Sequence, residues 1–454
     1  MERNPDAWNE LAWERLLAGQ AEIAVECARK AHELARRNPD YLNTLGVAHA
    51  EAGDLDEAQT ALRKALKLKP NHVDAILNLA KVLEKGDDLA GALKAYRHAY
   101  ALAPEFPKLA VILARLHREA GQAAEAKALL ESARKVEPED LAIALASCDF
   151  ELESADAAIQ RLRAAPPEWK NARGALAHLL LSTGQWKEGW RLYRDSKPQI
   201  GARVHLRGEQ GIGDVLCFMR FVPMLRARGV EVSLACEKKL LSILEDVREY
   251  KGEQAIPIGD LPVMLDTEET PPAWPLDVPG KASLRRFGPP PYLGVTWRAG
   301  TDLGRRAEFG QDPSALMKAV SPALLGQAIK GWPGTVIVLQ RGARSTDFAQ
   351  FSAAFGGPFH DLSALGDDLA GLLAVLAALD EYVGVSNANV HLLAGIGKTA
   401  RVLVPYPGEW RWMRRPGPSP WFPGFQVYRQ GQSRDWSGAL EQLRTDLFKG
   451  RDGT

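Results

Sequence analysis

The sequence is notable first for what it lacks. Cysteine is scarce, at 4 in 454 residues, and Cys27, Cys148, Cys217 and Cys236 form no C-x-x-C pair. That excludes the usual zinc spacings and a disulfide framework, and suits reduced thiols in a reducing compartment. Neither sign of charge predominates: 57 Lys and Arg face 57 Asp and Glu. A nucleic-acid-binding surface ordinarily carries a basic excess, so no nucleic-acid partner is expected. No apolar run reaches the roughly 18 residues that cross a bilayer. The opening stretch, MERNPDAWNELAWERLLAG, is charged and has no apolar signal core. A cytoplasmic protein without a membrane span is the expectation. Nor is there a complete G-x-G-x-x-G fingerprint or a phosphate loop ending in Lys-Ser/Thr, which removes the common dinucleotide and P-loop readings.

What is present in the first half is a period of 34 residues. Leu11, Leu45, Leu79 and Leu113 are so spaced, as are Ala24, Ala58, Ala92 and Ala126, and Ala31, Ala65, Ala99 and Ala133. Pro70, Pro104 and Pro138 close successive units, while Gly19, Gly53 and Gly121 mark inter-helix turns, with Asp87 in the equivalent place of the third unit. Small residues that let paired helices approach, and a proline that stops the second helix, are the tetratricopeptide pattern. Four clear units cover 4–138, degenerate hairpins follow, and the helical solenoid is expected over 1–195. In GALAHLLLSTGQWKEGWRLYR, Gly184 and Gly189 keep the spacing of Gly19 and Ala24. Stacked hairpins leave a concave groove that takes an extended peptide or another protein. The alternative is an array that only solubilises or dimerises the chain.

Beyond residue 200 the period disappears. Short β-branched runs, ARVHLR, VEVSLAC, YLGVTW, TVIVLQ, EYVGVS and RVLVP, alternate with helical stretches. This alternation predicts parallel sheets with crossover helices, an α/β half. A Pro/Gly-rich stretch at 271–292 divides it. Two Rossmann-like lobes, 201–285 (short) and 290–454, would bind ligands at the carboxyl ends of their strands. The first opens with HLRGEQGIGDVLCFMRF, a strand entering a Gly-rich turn and a helix. Gly211 and Gly213 allow a tight turn whose amides face an anion or sugar hydroxyl. Asp214 either compensates the helix start or acts as a general base. The second lobe carries YVGVSNANVHLLAGIGK. Ser386, Asn387 and Asn389 offer donors at a helix start, and His391 lies on the first turn. Gly395 and Gly397 permit close packing or a helix stop. Trp410, Trp412, Trp421, Phe422 and Phe425 either pack the last strand and helix or offer one indole for stacking, with Arg411 held by cation–π contact.

On these residues the second half resembles the heptosyltransferase-like glycosyltransferases (glycosyltransferase family 9, B-type fold). GIGDV is similar to their N-lobe loop, and VGVSNANVHLLAGIGK to their donor-binding motif, usually a strand then Asp-Thr-Gly-x-x-His-Leu-Ala. A bacterial group that fuses tetratricopeptide repeats to this domain is more similar still, through GEQGIGD, GVTWRAG, the GVSN strand and PGEWRWM…SPWFPGFQVYRQ. The resemblance implies an α plus α/β architecture and a glycosyltransferase using a nucleotide-sugar donor and a protein or glycan acceptor in the repeat groove. It implies Asp214 as base, and Gln210, Gly211 and Gly213 as the acceptor-side loop. Donor contacts would be Ser386, Asn387, Asn389, His391, Arg298, Lys318 and Gln340, with Arg305 and Arg306 as further candidates for diphosphate charge. Ser386 replaces the family's Asp, and Asn387 and Ala388 replace Thr-Gly. No D-x-D triplet follows residue 200, which fits a site needing no metal or other cofactor. The rival expectation is a non-catalytic repeat scaffold with a degenerate transferase domain.

Overall fold

A computed structural model describes residues 4–449 apart from 87, 107, 195–199, 210, 279, 281, 300–317, 415–416 and 433. The chain divides into two compact units, Met1–Ala172 and Arg173–Thr454.

The first unit consists of helical hairpins: α1 (Pro5–Leu17) with α2 (Ala21–Leu34), α3 (Pro39–Ala52) with α4 (Leu55–Leu68), α5 (Val73–Lys85) with α6 (Leu89–Leu102), α7 (Leu109–Glu119) with α8 (Ala123–Ser132), and α9 (Pro138–Leu152) with α10 (Ala155–Arg163). Gly19, Gly53 and Gly121 turn between helices at φ of +70°, +91° and +74°, a region that glycine enters without the Cβ clash. Ala24, Ala58, Ala92 and Ala126 are wholly buried, as are Ala31, Ala65 and Ala99. The reason for small residues is visible at α3 against α4. A Cβ on Gly46 would lie 2.5 Å from Leu62 Cγ and 3.2 Å from the Ala58 carbonyl. Asn4 and Asn38 cap α1 and α3 with their side chains, and a proline follows each at the first helical position. Polar pairs tie equivalent helices of successive hairpins: Asn78 donates to Asn43 at 2.9 Å and Lys85 to Glu51 at 3.2 Å.

Two positions in the fourth unit depart from the sequence pattern. Helix α8 stops at Ser132, so Ala133 is an extended residue rather than a member of the buried column, and Pro138 opens α9 instead of closing α8. Position 87 lies outside the described residues.

The second unit begins inside a sixth hairpin, α11 (Lys170–Thr183) and α12 (Trp186–Tyr193), turned by Gly184 at φ +90°. Gly189 touches the Leu181 side chain, where a Cβ would lie 2.8 Å from Leu181 Cγ. Trp190 is buried against Phe218, Phe221, Trp410 and Trp421. This hairpin repeats the solenoid motif yet contributes to the core of the α/β unit.

Two parallel sheets follow. The first, β1 (Arg203–Arg207), β2 (Glu231–Ala235), β3 (Arg248–Glu249) and β4 (Ile256–Pro257), is ordered β3-β2-β1-β4. The second contains β5 (Tyr292–Val295), β6 (Thr335–Val338), β7 (Phe359–Asp361), β8 (Glu381–Val385), β9 (Arg401–Val404) and β10 (Gln426–Arg429), ordered β10-β9-β8-β5-β6-β7. Counted from its own first strand, that is the doubly wound order, whose topological switch lies between β5 and β8. The segment around 271–292 runs along the second sheet's helices: Leu276 N–H donates to the Gly395 carbonyl (2.9 Å) and Ala282 N–H to that of Ala374 (3.2 Å).

Candidate functional site

Parallel strands bounding a switch point end at a shared crevice. Here β5 leads into Thr296 and Arg298, β8 into Ser386 and the Ala388–Gly395 helix, and β9 into a turn carrying Glu409 and Arg411. From the first sheet, β1 leads through Gly211 into α13 (Ile212–Met219), which packs against the Ala388–Gly395 helix. The two sequence motifs singled out above therefore meet.

Asp214 sits in the first turn of α13 but does not cap it. Gly211 is the N-cap residue and offers no side chain. The Asp214 carboxylate, with 29% side-chain exposure, accepts a hydrogen bond from Arg411 Nη2. Gly213 lies against His391: a Cβ there would stand 3.1 Å from His391 Cδ2 and 3.5 Å from Ala388 Cα. Gly211 behaves otherwise than the tight-turn reading requires. Its φ is −68°, and a Cβ would meet nothing within 4 Å. Position 210, with Arg305 and Arg306, lies outside the described residues.

His391 is 7% exposed. Its ring meets Phe422 edge-on at 5.1 Å, and Nδ1 has no hydrogen-bond partner among the described residues. Burial, then the nearby charges of Arg411 and Arg220, push its pKa well below the ordinary histidine value, so it is neutral at pH 7. Ser386 Oγ donates to Glu409 Oε1 at 2.6 Å. Asn387 caps the helix by accepting the Asn389 N–H at 3.0 Å and donates to Thr296 Oγ1 at 2.8 Å. Ser386 and Asn387 thus have protein partners already. Gln340 accepts from the backbone N–H groups of Trp297 (2.9 Å) and Arg298 (2.8 Å), fixing the end of β5. The Arg298 guanidinium donates to the Gly342 carbonyl at 2.6 Å. Gly395 abuts the 271–292 segment, where a Cβ would meet Leu276 at 2.7 Å, and Gly397 ends the helix at φ +70°.

Sequence reasoning missed the centre of the arrangement. Glu409, with 15% side-chain exposure, accepts from Lys318, from Arg411 Nη1 at 3.2 Å, from Ser386 and from Trp412 Nε1 at 3.1 Å. Burial by itself would raise its pKa. Attraction to Lys318 and Arg411, with hydrogen bonds from Lys318 and Ser386, overcomes burial and holds the carboxyl well below the usual carboxylate range. Arg411 joins both carboxylates, donates through Nε to Cys217 Sγ at 3.3 Å and lies 4.5 Å from the Trp410 ring centroid. The cation–π expectation for Arg411 covered one of these contacts. Trp410, Trp412, Trp421, Phe422 and Phe425 are all buried together, which is the packing role. Of its members, Asp214, Lys318, Ser386 and Arg411 were singled out in the sequence, but Glu409, which joins them, carried no signal beyond lying two residues from Arg411 in that aromatic segment.

The sixth hairpin lies beside the same charged residues. Tyr193 lies within electrostatic range of Arg411 and Asp214, and His178 within range of Arg411 and Glu409. Their rings meet edge-on at 5.5 Å. His178 is exposed, and crowding by protein atoms, then Arg414 and Arg411, lower its pKa. Arg194 donates to Glu209, the residue before the Gly-rich turn. Among the described residues no cluster of His, Cys, Asp and Glu has metal-holding geometry, and no helix is long and apolar enough to cross a membrane.

Tetratricopeptide-repeat family profiles match residues 43–107 and 84–148. The first half thus carries tetratricopeptide repeats, a protein-interaction scaffold. Protein FlbA of Caulobacter vibrioides (strain ATCC 19089 / CIP 103742 / CB 15) is 26% identical over 373 residues, covering 68% of this chain and 59% of that protein. The chain therefore spans less than two thirds of that relative's length. Similar solved structures include MamA protein (17% identity, 36% of this chain and 90% of that one, TM-score 0.33). A thermophilic TPR protein of Thermus thermophilus shows 19% identity over 39% of this chain and 100% of that one, TM-score 0.31. The first TPR of Spaghetti bound to an HSP90 peptide shows 16% identity over 26% and 94%, TM-score 0.25.

Proposed function

We propose that the chain transfers a sugar from a nucleotide-sugar donor to a hydroxyl of a polypeptide acceptor held by its repeats. The observation that carries this reading is the meeting of α13 and the Ala388–Gly395 helix at the carboxyl ends of two parallel sheets, with Gly213 against His391 and Asp214 on Arg411. Such an edge, where two lobes of a doubly wound unit converge, suits a phosphorylated ligand. In the proposed reaction the acceptor oxygen attacks the anomeric carbon and its proton passes to the Asp214 carboxylate. The bond from that carbon to the diphosphate oxygen breaks, and its electron pair leaves with the diphosphate. Lys318 and Arg411, cations of this centre, would stabilise that charge, with no metal in the scheme. Repeats of this class bind protein or peptide partners, which makes a polypeptide acceptor the natural choice.

A specific observation favours the rival, a scaffold without catalysis: Ser386 and Asn387 have partners within the protein, and the Asp214 carboxylate is paired. The deciding experiment is titration of the purified protein with a panel of nucleotides and nucleotide sugars by calorimetry, followed by assays for hydrolysis of any sugar that binds. Specific binding with hydrolysis supports the transferase. Absence of binding across the panel leaves the scaffold.

A further inference from the structure

The ionic centre is balanced as it stands. Two cations, Arg411 and Lys318, face two carboxylates, Asp214 and Glu409, and His391 beside them is neutral. Both of these cations are already paired, so an anionic diphosphate reaches the Arg411 guanidinium only if a carboxylate gives way; Arg220, a buried arginine nearby, is held by the Pro271 and Trp421 carbonyls. The two carboxylates differ in how firmly they are held. Glu409 is the more buried and has four donors, Lys318, Arg411, Ser386 and Trp412. Asp214 is the more exposed, comes from the other sheet's helix, and has Arg411 as its ion-pair partner. Arg411 itself is fixed from behind by Cys217, the Trp410 ring and Glu409, so Asp214 can leave without the guanidinium moving.

We infer that Arg411 is a diphosphate-binding residue whose ligand site is occupied by Asp214 in the free protein, so that an incoming nucleoside diphosphate group displaces the Asp214 carboxylate from it. This rests on the proposed transferase reading and deepens it. The exchange gives the donor's diphosphate the Nη2 edge of a planar cation whose Nε and Nη1 stay on Cys217 and Glu409. It also releases the carboxylate that the acceptor hydroxyl needs as a base. The base is therefore free only when a donor is present.

The test is a double-mutant cycle on the full chain, titrated by calorimetry with whichever of UDP, GDP, ADP and CDP the wild type binds, and with inorganic pyrophosphate. Asp214→Asn removes the competing charge and keeps the shape, and should bind the diphosphate about tenfold more tightly than wild type. Arg411→Lys keeps a charge but loses the planar group that Cys217 and Glu409 hold in place, and should bind roughly tenfold more weakly. In the Arg411→Lys background the gain from Asp214→Asn should shrink to roughly two- to threefold, because a mobile ammonium competes less well for Asp214 than the fixed guanidinium does. An Asp214→Asn variant no tighter than wild type overturns the exchange. So does a gain that persists undiminished in the Arg411→Lys background, which would reflect a general field. A wild type that binds none of these probes removes the transferase reading itself, and the exchange with it. A crystal structure with the diphosphate bound should show Asp214 away from Arg411, whatever the variants' stability. Retention of the pair in that complex also overturns the proposal.

Discussion

Gly213 and His391 are in contact across the two sheets of the second unit, so close that a Cβ on the glycine would stand 3.1 Å from the imidazole. Two motifs 178 residues apart in sequence share one surface. Alanine at 213 adds that Cβ but gains about 0.5–1 kcal/mol of helix preference over glycine, so Gly213→Ala should be nearly neutral in urea denaturation. Gly213→Val adds branching without that relief and should lower stability by about 1–3 kcal/mol through overpacking, with the m value unchanged.

Within the repeats, Ala58 is wholly buried where α3 and α4 approach at Gly46. Ala58→Leu should cost on the order of 1–3 kcal/mol by overpacking. Thermal unfolding followed by circular dichroism measures it. An unchanged melting temperature would contradict the close approach.

Glu409 is shared by two cations. Glu409→Ala leaves Lys318 and Arg411 without it and should destabilise by about 3 kcal/mol, the low end for breaking a buried pair, because Arg411 retains Asp214. Since the folded carboxyl is held below its unfolded value, its stabilisation is full above about pH 4.5 and is lost as pH falls further. Glu409→Gln should therefore flatten the acid limb of a stability–pH profile.

His391 shifts downward in the folded state. The unfolded chain then binds a proton that the folded one refuses, so stability is complete above about pH 6.5 and falls below it, by at most about 1.4 kcal/mol per pH unit for one group. His391→Gln should reduce that slope between about pH 6.5 and 4.5. Melting temperatures across that range decide it, and an identical slope would mean that His391 does not titrate as its burial demands.

If Asp214 is the base, Asp214→Asn should lower turnover of the donor by roughly 10²–10⁴-fold while the melting temperature stays near wild type. A loss of activity that simply follows stability would assign it a packing role.

The repeats were legible because the information is local. Each buried alanine lies in a helix whose partner is the next or the previous one in the chain, so one period records every contact. The second unit was legible in its central strands, β1, β2, β5, β6, β8 and β9, whose apolar runs are buried. Strands β3, β4 and β7 were overlooked, and β10 was anticipated only as a last strand without bounds. All four lie at sheet edges, and β3 is the exposed pair Arg248–Glu249. The helix Ser345–Phe355 was likewise unremarked. The ionic centre was illegible for a different reason. Arg411 finds Asp214 at a separation of 197 residues and Glu409 finds Lys318 at 91, and no periodicity encodes partners at such distances.

Trp190 gives the chain's modularity an unexpected seam. By sequence it belongs to a repeat, yet its indole fills the middle of an aromatic box made by α13 and the segment after β9. The last repeat has therefore ceased to be an interchangeable tile. Shuffling that lengthens or shortens the array can act freely among the earlier hairpins, but a splice made after the sixth would carry away the plug of the neighbouring unit. The identity of the final hairpin is tied to the α/β unit it completes.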